Sequence, residues 1–259
     1  MLVFARFPRF LLTDPRERNV LMAKIIGVVP ASSCGDMTKS TASDVYRLAN
    51  NYSKRVQEAG GTPVCLAPVD NWVKKDALKL FDGYIVQGGA EFYPYHFQVI
   101  HDAVENHKRF LGICLGEQLI YAYFALRKLV EERGYEGDLV EAICALLQEK
   151  GPAFSVLESV EGHNINVFMP RGGEDVVKHD VTTVPGTILH RVTGKDTLRA
   201  ASFHKKIVPP GQDLVTVNAW AAGESNVVEG VEYGDNLLGV QFHPEVDGLL
   251  PEIFTFLME

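Results

Sequence analysis

Cysteine is scarce and scattered in this chain. Cys34, Cys65, Cys114 and Cys144 are the four in 259 residues, and no two form a CxxC pair. That excludes a cysteine-built zinc ribbon and a disulfide-dense secreted scaffold, and it points to a reducing compartment, the cytoplasm. No apolar run approaches the ~18 residues that a membrane span needs. Positive charge is in deficit too: 25 Lys and Arg against 33 Asp and Glu leave a formal net charge of −8. Neither nucleic acid nor an anionic membrane is therefore expected as a partner. Internal repeats and low-complexity tracts are also missing. What is present, 46% hydrophobic and 22% charged residues, suits one large globular domain with a well-covered core.

Residues 1–21 stand apart. They mix Arg6, Arg9, Arg16 and Arg18 with apolar residues but also carry Asp14 and Glu17. A secretory signal would have a continuous apolar segment and a small-residue cleavage site. Met22 lies directly before the first expected strand, so 1–21 reads as an N-terminal extension of unassigned role, with organellar import left open.

The most informative stretch is RFLGICLGEQLI, residues 109–120. An apolar run ending at Ile113 meets Cys114, and helix-favouring residues follow at once. Gly112 and Gly116 sit two residues either side of the cysteine. Such spacing predicts a strand, a sharp turn and a helix so close together that side chains at the flanking positions would collide. A serine hydrolase places its nucleophile on the same kind of elbow, here with sulfur in place of the hydroxyl. The positive end of the following helix favours a thiolate, and the Leu115 N–H is aimed where an oxyanion would form. The alternative is a buried structural cysteine.

Around this stretch the pattern alternates. Residues 24–29 and 62–66 read as strands, with a helix from Ser43-Asp44 to about Ala59 between them. A short helix over 72–81 precedes a strand at Tyr84–Val86, and a helix over 97–107 leads to the elbow strand. Leu119 to Val130 is apolar nearly all round and should be a buried helix. Asp138 with Glu141 predicts a capped amphipathic helix to about Lys150, an edge element, a lid or a dimer surface. From 153 to 241, β-rich pieces dominate: Phe154–Leu157, Asn166–Phe168, Thr197–Ser202, Leu214–Asn218, Asn226–Tyr233 and Leu237–Phe242. A last helix starts at Val246 or Leu249. Strands alternating with helices indicate an α/β fold with a mostly parallel sheet covered on both faces, plus a β-rich C-terminal part.

Ligands in such sheets bind beyond the carboxyl ends of the strands. Gly88-Gly89 falls at one such end and is a second candidate source of oxyanion N–H groups, or a plain turn. A cysteine nucleophile also needs a base and an orienting group. His243 follows the apolar strand 237–242 in QFHPE, with Glu245 two residues on; otherwise it only ends that strand. His204, in SFHKK, could line the cleft or be an ordinary surface histidine.

Gly-Ile-Cys-Leu-Gly-Glu-Gln at 112–118 together with Gln-Phe-His-Pro-Glu at 241–245 resembles the class I glutamine amidotransferase superfamily. That resemblance covers most of 22–259 and implies a single flavodoxin-like catalytic domain with an amphipathic helical insertion about 135–150. It implies Cys114 as nucleophile, His243 as base, Glu245 as orienter, and oxyanion donors from Leu115 and the Gly88-Gly89 turn. Within the superfamily, NNYSKRVQEAGGTPVCLAP (50–68), GGAEFYP (88–94) and ASFHKKIVPPG (201–211) are similar to the gamma-glutamyl hydrolase branch, peptidase family C26. Departures stand at Gln87 for proline, at Leu115 where the gamma-glutamyl-GABA hydrolases carry arginine, at Lys205 and Lys206, and at the 138–149 helix.

The implied reaction is cleavage of a small gamma-glutamyl amide through a thioester on Cys114. Gln118, Glu117, Glu91, His204 and Lys205 are the candidate substrate contacts. No cofactor or metal is expected. The alternatives are a glutaminase subunit delivering ammonia to a separate synthetase and a non-catalytic binding or regulatory homologue; a homodimer or that separate synthetase subunit is the protein partner to expect.

Overall fold

Short β-branched runs separated by helices leave each strand two apolar faces to cover. The computed structural model, which describes residues 23–32, 45–151, 153–161, 163, 178–246, 248 and 250–259, meets that need with one nine-stranded sheet. The first half supplies β1 (Ile25–Val29), α1 (Asn50–Glu58), β2 (Thr62–Cys65), α2 (Lys75–Leu78), β3 (Gly83–Val86), α3 (Pro94–Glu105), β4 (Arg109–Ile113), α4 (Leu115–Glu132) and α5 (Leu139–Lys150). The second half supplies β5 (Lys178–Thr183), α6 (Ile188–Thr193), β6 (Thr197–Ala201), β7 (Thr216–Ala221), β8 (Val228–Tyr233), β9 (Leu237–Val240) and α7 (Glu252–Thr255), which runs into a 3-10 turn at Phe256–Met258. Two pairs of two-residue strands lie outside this numbering and outside the sheet.

Strand order is β2-β1-β3-β4-β9-β8-β7-β5-β6. From β2 to β9 every pairing is parallel, and from β9 to β6 every pairing is antiparallel. The expected parallel sheet and β-rich C-terminal part are therefore one continuous structure. Its join is β9, which lies parallel to β4 with Gly239 opposite Gly112 and Val240 opposite Ile113.

Alternation along the strands divides the core in two. Tyr84, Val86 and Phe110 point to the side covered by α3, α4 and α5. Ile26, Val28, Ile85, Leu111 and Ile113 point to the side covered by Tyr52 and Val56 of α1 and by Ile253, Phe254 and Phe256. Each of these buried side chains contributes roughly 1.5–3 kcal/mol. α4 is buried from Leu115 to Leu126, as expected of a helix apolar all round. α5 packs on α3 and α4, and the Asp138 carboxylate caps it by accepting from Val140 N and Glu141 N at 2.9 and 3.1 Å.

Several boundaries differ from expectation. Ser43-Asp44 and Asn166–Phe168 lie outside the described residues, and α1 begins only at Asn50. Before it, Gln87 binds the chain through both ends of its amide, to Ala49 N at 3.0 Å and Arg47 O at 2.5 Å. Those groups are then lost to a helix, and Tyr46–Arg47 pairs with Ala31–Ser32 instead. The helix over 72–81 shortens to one turn, Lys75–Leu78. Phe154–Leu157 forms no strand, whereas β5 at Lys178–Thr183 and α6 at Ile188–Thr193 were not foreseen. The alternation in KHDVTT is weak because its outward residues are charged or polar, and pairing on both edges sustains it instead.

Candidate active site

Cys114 stands at the corner between β4 and α4. Its backbone has φ 55° and ψ −104°, a conformation that costs a non-glycine residue on the order of 1–3 kcal/mol. Sheet and helix hold it there: Cys114 N donates to Val240 O at 2.8 Å, and its own carbonyl accepts from Gln118 N at 3.1 Å. The two flanking glycines allow the approach. A Cβ at Gly112 would fall 2.2 Å from the Gly116 carbonyl oxygen, and one at Gly116 would fall 2.5 Å from Val86 O. At Leu115, the first residue of α4, the N–H has no partner within the helix.

His243 and Glu245 arrive from the end of β9, the parallel neighbour of β4. Glu245 Oε1 lies 2.7 Å from His243 Nδ1. Both residues are buried. A Cβ placed on Gly88 would lie 2.9 Å from His243 Cε1 and 3.4 Å from Cys114 Cβ, so imidazole and thiol flank the same small space. Burial works against a charged imidazole, but Glu245 and the hydrogen bond with Cys114 outweigh it and hold His243 well above its usual range. Three side chains and a glycine turn thus meet at the carboxyl ends of β3, β4 and β9, three adjacent strands.

The far edge of the sheet also reaches this point. Ala201 at the end of β6 accepts from His243 N at 2.7 Å, and the Cys114 sulfur lies 3.8 Å from the Phe203 carbonyl. The antiparallel half coils back so that its outermost strand borders the centre.

Other expected contacts are placed differently. The Gly88 N–H donates to the Tyr52 hydroxyl at 3.1 Å, which occupies it and leaves Gly89 and Leu115 as the free-standing oxyanion candidates. Gly89, exposed, packs against Leu115: a Cβ there would meet Leu115 Cδ2 at 2.8 Å. Glu117 is fully buried between α4 and β9, with a Cβ on Gly239 falling 3.0 Å from its Cγ. Burial first, then Glu229 and Cys114, push its carboxyl well above the usual range, and it faces the interior rather than the cleft. The Gln118 amide is spent internally on Lys206 O at 3.0 Å and Gln241 Oε1 at 2.8 Å. His204 is buried against Glu229 at 3.2 Å, so it lines no open cleft. Glu91 and Lys205 are exposed, and Glu91 accepts from the Tyr93 hydroxyl at 3.1 Å.

Tyr52 was missed as part of this site. Burial, then the neighbouring Glu245 carboxylate, push its phenol well above its usual range, so it stays protonated beside that carboxylate. It links the Gly88 turn to Glu245. In the sequence it shows only as one apolar position on α1.

Residues 42–250 match the family described as Glutamine amidotransferase class-I. The chain belongs to the class I glutamine amidotransferase family. Among curated relatives of this amidotransferase, the CTP synthase of Halobacterium salinarum is 28% identical over 219 residues, 80% of this chain but 38% of that enzyme. The chain therefore spans little more than a third of the length of that relative. Protein NtpR of Enterococcus hirae is 23% identical over 237 residues, covering 87% of this chain and 92% of its own. Among solved structures, the glutaminase domain of Trypanosoma brucei CTPS with bound acivicin superposes with a TM-score of 0.59 at 17% identity, covering 90% of this chain and 92% of that one. PurLQS from Thermotoga maritima superposes at 0.55 and 16% identity, covering 92% and 98%. These two likenesses speak for the fold.

The Glu245 contact makes a direct prediction. Glu245→Gln should lower kcat by about 10²–10⁴-fold with KM changed only a few-fold, as when a triad loses its carboxylate orienter. Without the carboxylate, its share of the upward push is gone and His243 gives up its proton at lower pH than in the parent. Iodoacetamide alkylation of Cys114 at mildly acidic pH should then slow, because fewer imidazolium partners stabilise the thiolate. An unchanged alkylation profile would show that Glu245 does not govern the imidazole.

Proposed function

We infer that this amidotransferase is a glutaminase whose ammonia serves a synthetase site lying outside these 259 residues. The observation that carries the reading is the meeting of Cys114, His243 and Glu245 at the ends of adjacent parallel strands, in a chain whose family hydrolyses glutamine. With Nδ1 bound to Glu245, Nε2 of His243 takes the thiol proton. The Cys114 thiolate attacks the side-chain amide carbonyl, and the oxyanion is met by the N–H groups of Leu115 and Gly89. Donors of this kind are worth about 2.7–4 kcal/mol each in the transition state. The C–N bond breaks, the nitrogen takes the proton from His243, and ammonia leaves a thioester. Water, giving a proton to His243, then releases glutamate and restores the thiol. General acid–base help from the imidazole is worth about 10²–10⁴-fold.

Support for ammonia transfer comes from the relatives: one is a CTP synthase, and a structural neighbour is a CTPS glutaminase domain. A second reading is a free-standing hydrolase of gamma-glutamyl amines. It is favoured by the completeness of the Cys-His-Glu set within this one chain and by the resemblance of GGAEFYP and SFHKK to that branch. Assaying the isolated chain separates the two. The glutaminase reading expects slow release of ammonia from glutamine that rises on adding a synthetase partner. It is overturned by fast, partner-independent release of larger amines from gamma-glutamyl-amine substrates.

A further inference from the structure

Behind the candidate active site lies a cluster of imidazoles around one buried carboxylate. Glu229, on β8, is fully buried. Its Oε1 lies 3.5 Å from His163 Nδ1, 3.4 Å from His179 Nε2 and 3.2 Å from His204 Nε2. No lysine or arginine faces this carboxylate among the ion pairs of the described residues. Three imidazoles face it from three separate stretches of chain, and the buried Glu117 carboxyl lies near enough to feel its charge.

The geometry points to a divalent transition-metal site of the zinc class, with His163, His179 and Glu229 as protein ligands and an open fourth position. The ligand atoms of these three residues all lie within 4.8 Å of one another. Zinc bound to nitrogen and oxygen at about 2.0–2.1 Å in a tetrahedron spaces its ligands about 3.3–3.4 Å apart, close to the 3.5 and 3.4 Å from Glu229 Oε1 to His163 and His179. Two imidazoles and one carboxylate also form a donor set that suits zinc over magnesium or calcium, which prefer oxygen alone.

Two details agree. The other nitrogen of His163 stands 3.5 Å from the Glu224 carboxylate, the outer contact that turns a metal-binding imidazole's lone pair toward its ion. His179 Nε2 and Glu229 Oε2 are buried with no hydrogen-bond partner among the described residues.

An ion here would tie the stretch ending at His163 to β5 and β8. It would also stiffen the turn from Phe203 to Lys206, whose first carbonyl meets the Cys114 sulfur. The site is distinct from the catalytic thiol and does not depend on the glutaminase reading.

The test uses the full chain, stripped with chelator and titrated with Co²⁺ and, separately, Zn²⁺. One equivalent of Co²⁺ should bind with the visible absorption of a tetrahedral ion, and saturating Zn²⁺ should raise Tm by about 5 °C or more. His179→Ala and Glu229→Gln should weaken binding at least about 100-fold, while Cys114→Ser should bind as the parent does. His179 is more than a quarter exposed, so its alanine variant is expected to fold even if Glu229→Gln does not. The proposal is overturned if no equivalent binds, if Cys114→Ser abolishes binding, or if the folded His179→Ala variant binds with parental affinity.

Discussion

Cys114→Ala should lower glutamine hydrolysis by about 10⁴–10⁶-fold, the loss that follows removal of a nucleophile acting within a triad. The residual rate would come from the oxyanion donors and substrate binding alone. Glutamine affinity, read by calorimetry, should change little, because the thiol reacts with the amide carbonyl rather than holding the glutamyl end. Stability should also change little, since alanine keeps a Cβ in the same backbone conformation. Cys114→Gly would be equally inactive but more stable, because φ 55° with ψ −104° is a conformation glycine adopts without strain. A gain in Tm of about 2–4 °C would correspond to relief of roughly 1 kcal/mol in a chain of this size. Hydrolysis surviving at more than a hundredth of the parental rate in Cys114→Ala would remove the cysteine from the mechanism.

The largest effect on stability is expected at Gly112. A methyl there would fall 2.2 and 2.3 Å from the carbonyl oxygen and carbon of Gly116 and 2.8 Å from Glu117 N. All three are backbone atoms of the first turn of α4, so none can rotate aside, and the methyl fits only if the helix lifts from β4. Gly112→Ala should therefore cost at least about 3 kcal/mol, the upper range for overpacking, seen as a Tm loss of about 6–12 °C. Hydrolysis should fall further than the folded fraction, because Cys114 moves with the helix. Gly134→Ala is the contrast: its Cβ would meet nothing within 4 Å, and only its φ of +65° opposes the change, at roughly 1 kcal/mol. Equal Tm losses for the two would show that the strand and helix do not touch as described.

The elbow was legible because its constraint is local. Gly112, Cys114 and Gly116 are separated by single residues, and the collision that forbids side chains at the glycines lies between adjacent elements. The parallel core was legible for the same reason, through β-branched runs and intervening helices of ordinary length. QFHPE was legible as a strand end bearing a histidine and an acid.

Less could be read where a contact is long-range. Glu117 and Gln118 follow the nucleophile in sequence, yet helical geometry turns one into the interior and spends the other on Lys206 and Gln241. His204 reads from sequence as either a cleft residue or an ordinary surface histidine, and the coiling of the antiparallel half carries it against Glu229 instead. The terms NVVEGVEYG and KHDVTT gave no hint of a shared carboxylate–imidazole cluster, because no spacing rule links residues on β5, β8 and a distant loop.

The amino-acid sequence by itself determined the sharp turn at Cys114, the parallel half of the sheet and the candidates for acyl transfer, because the limits that adjacent residues place on the backbone are local. Tertiary structure alone decided which of those residues meet. Parallel pairing of β9 with β4 brings His243 to Cys114 across more than a hundred residues of chain, and the coiling of β6 onto the same point sorts the buried side chains from those that face the cleft.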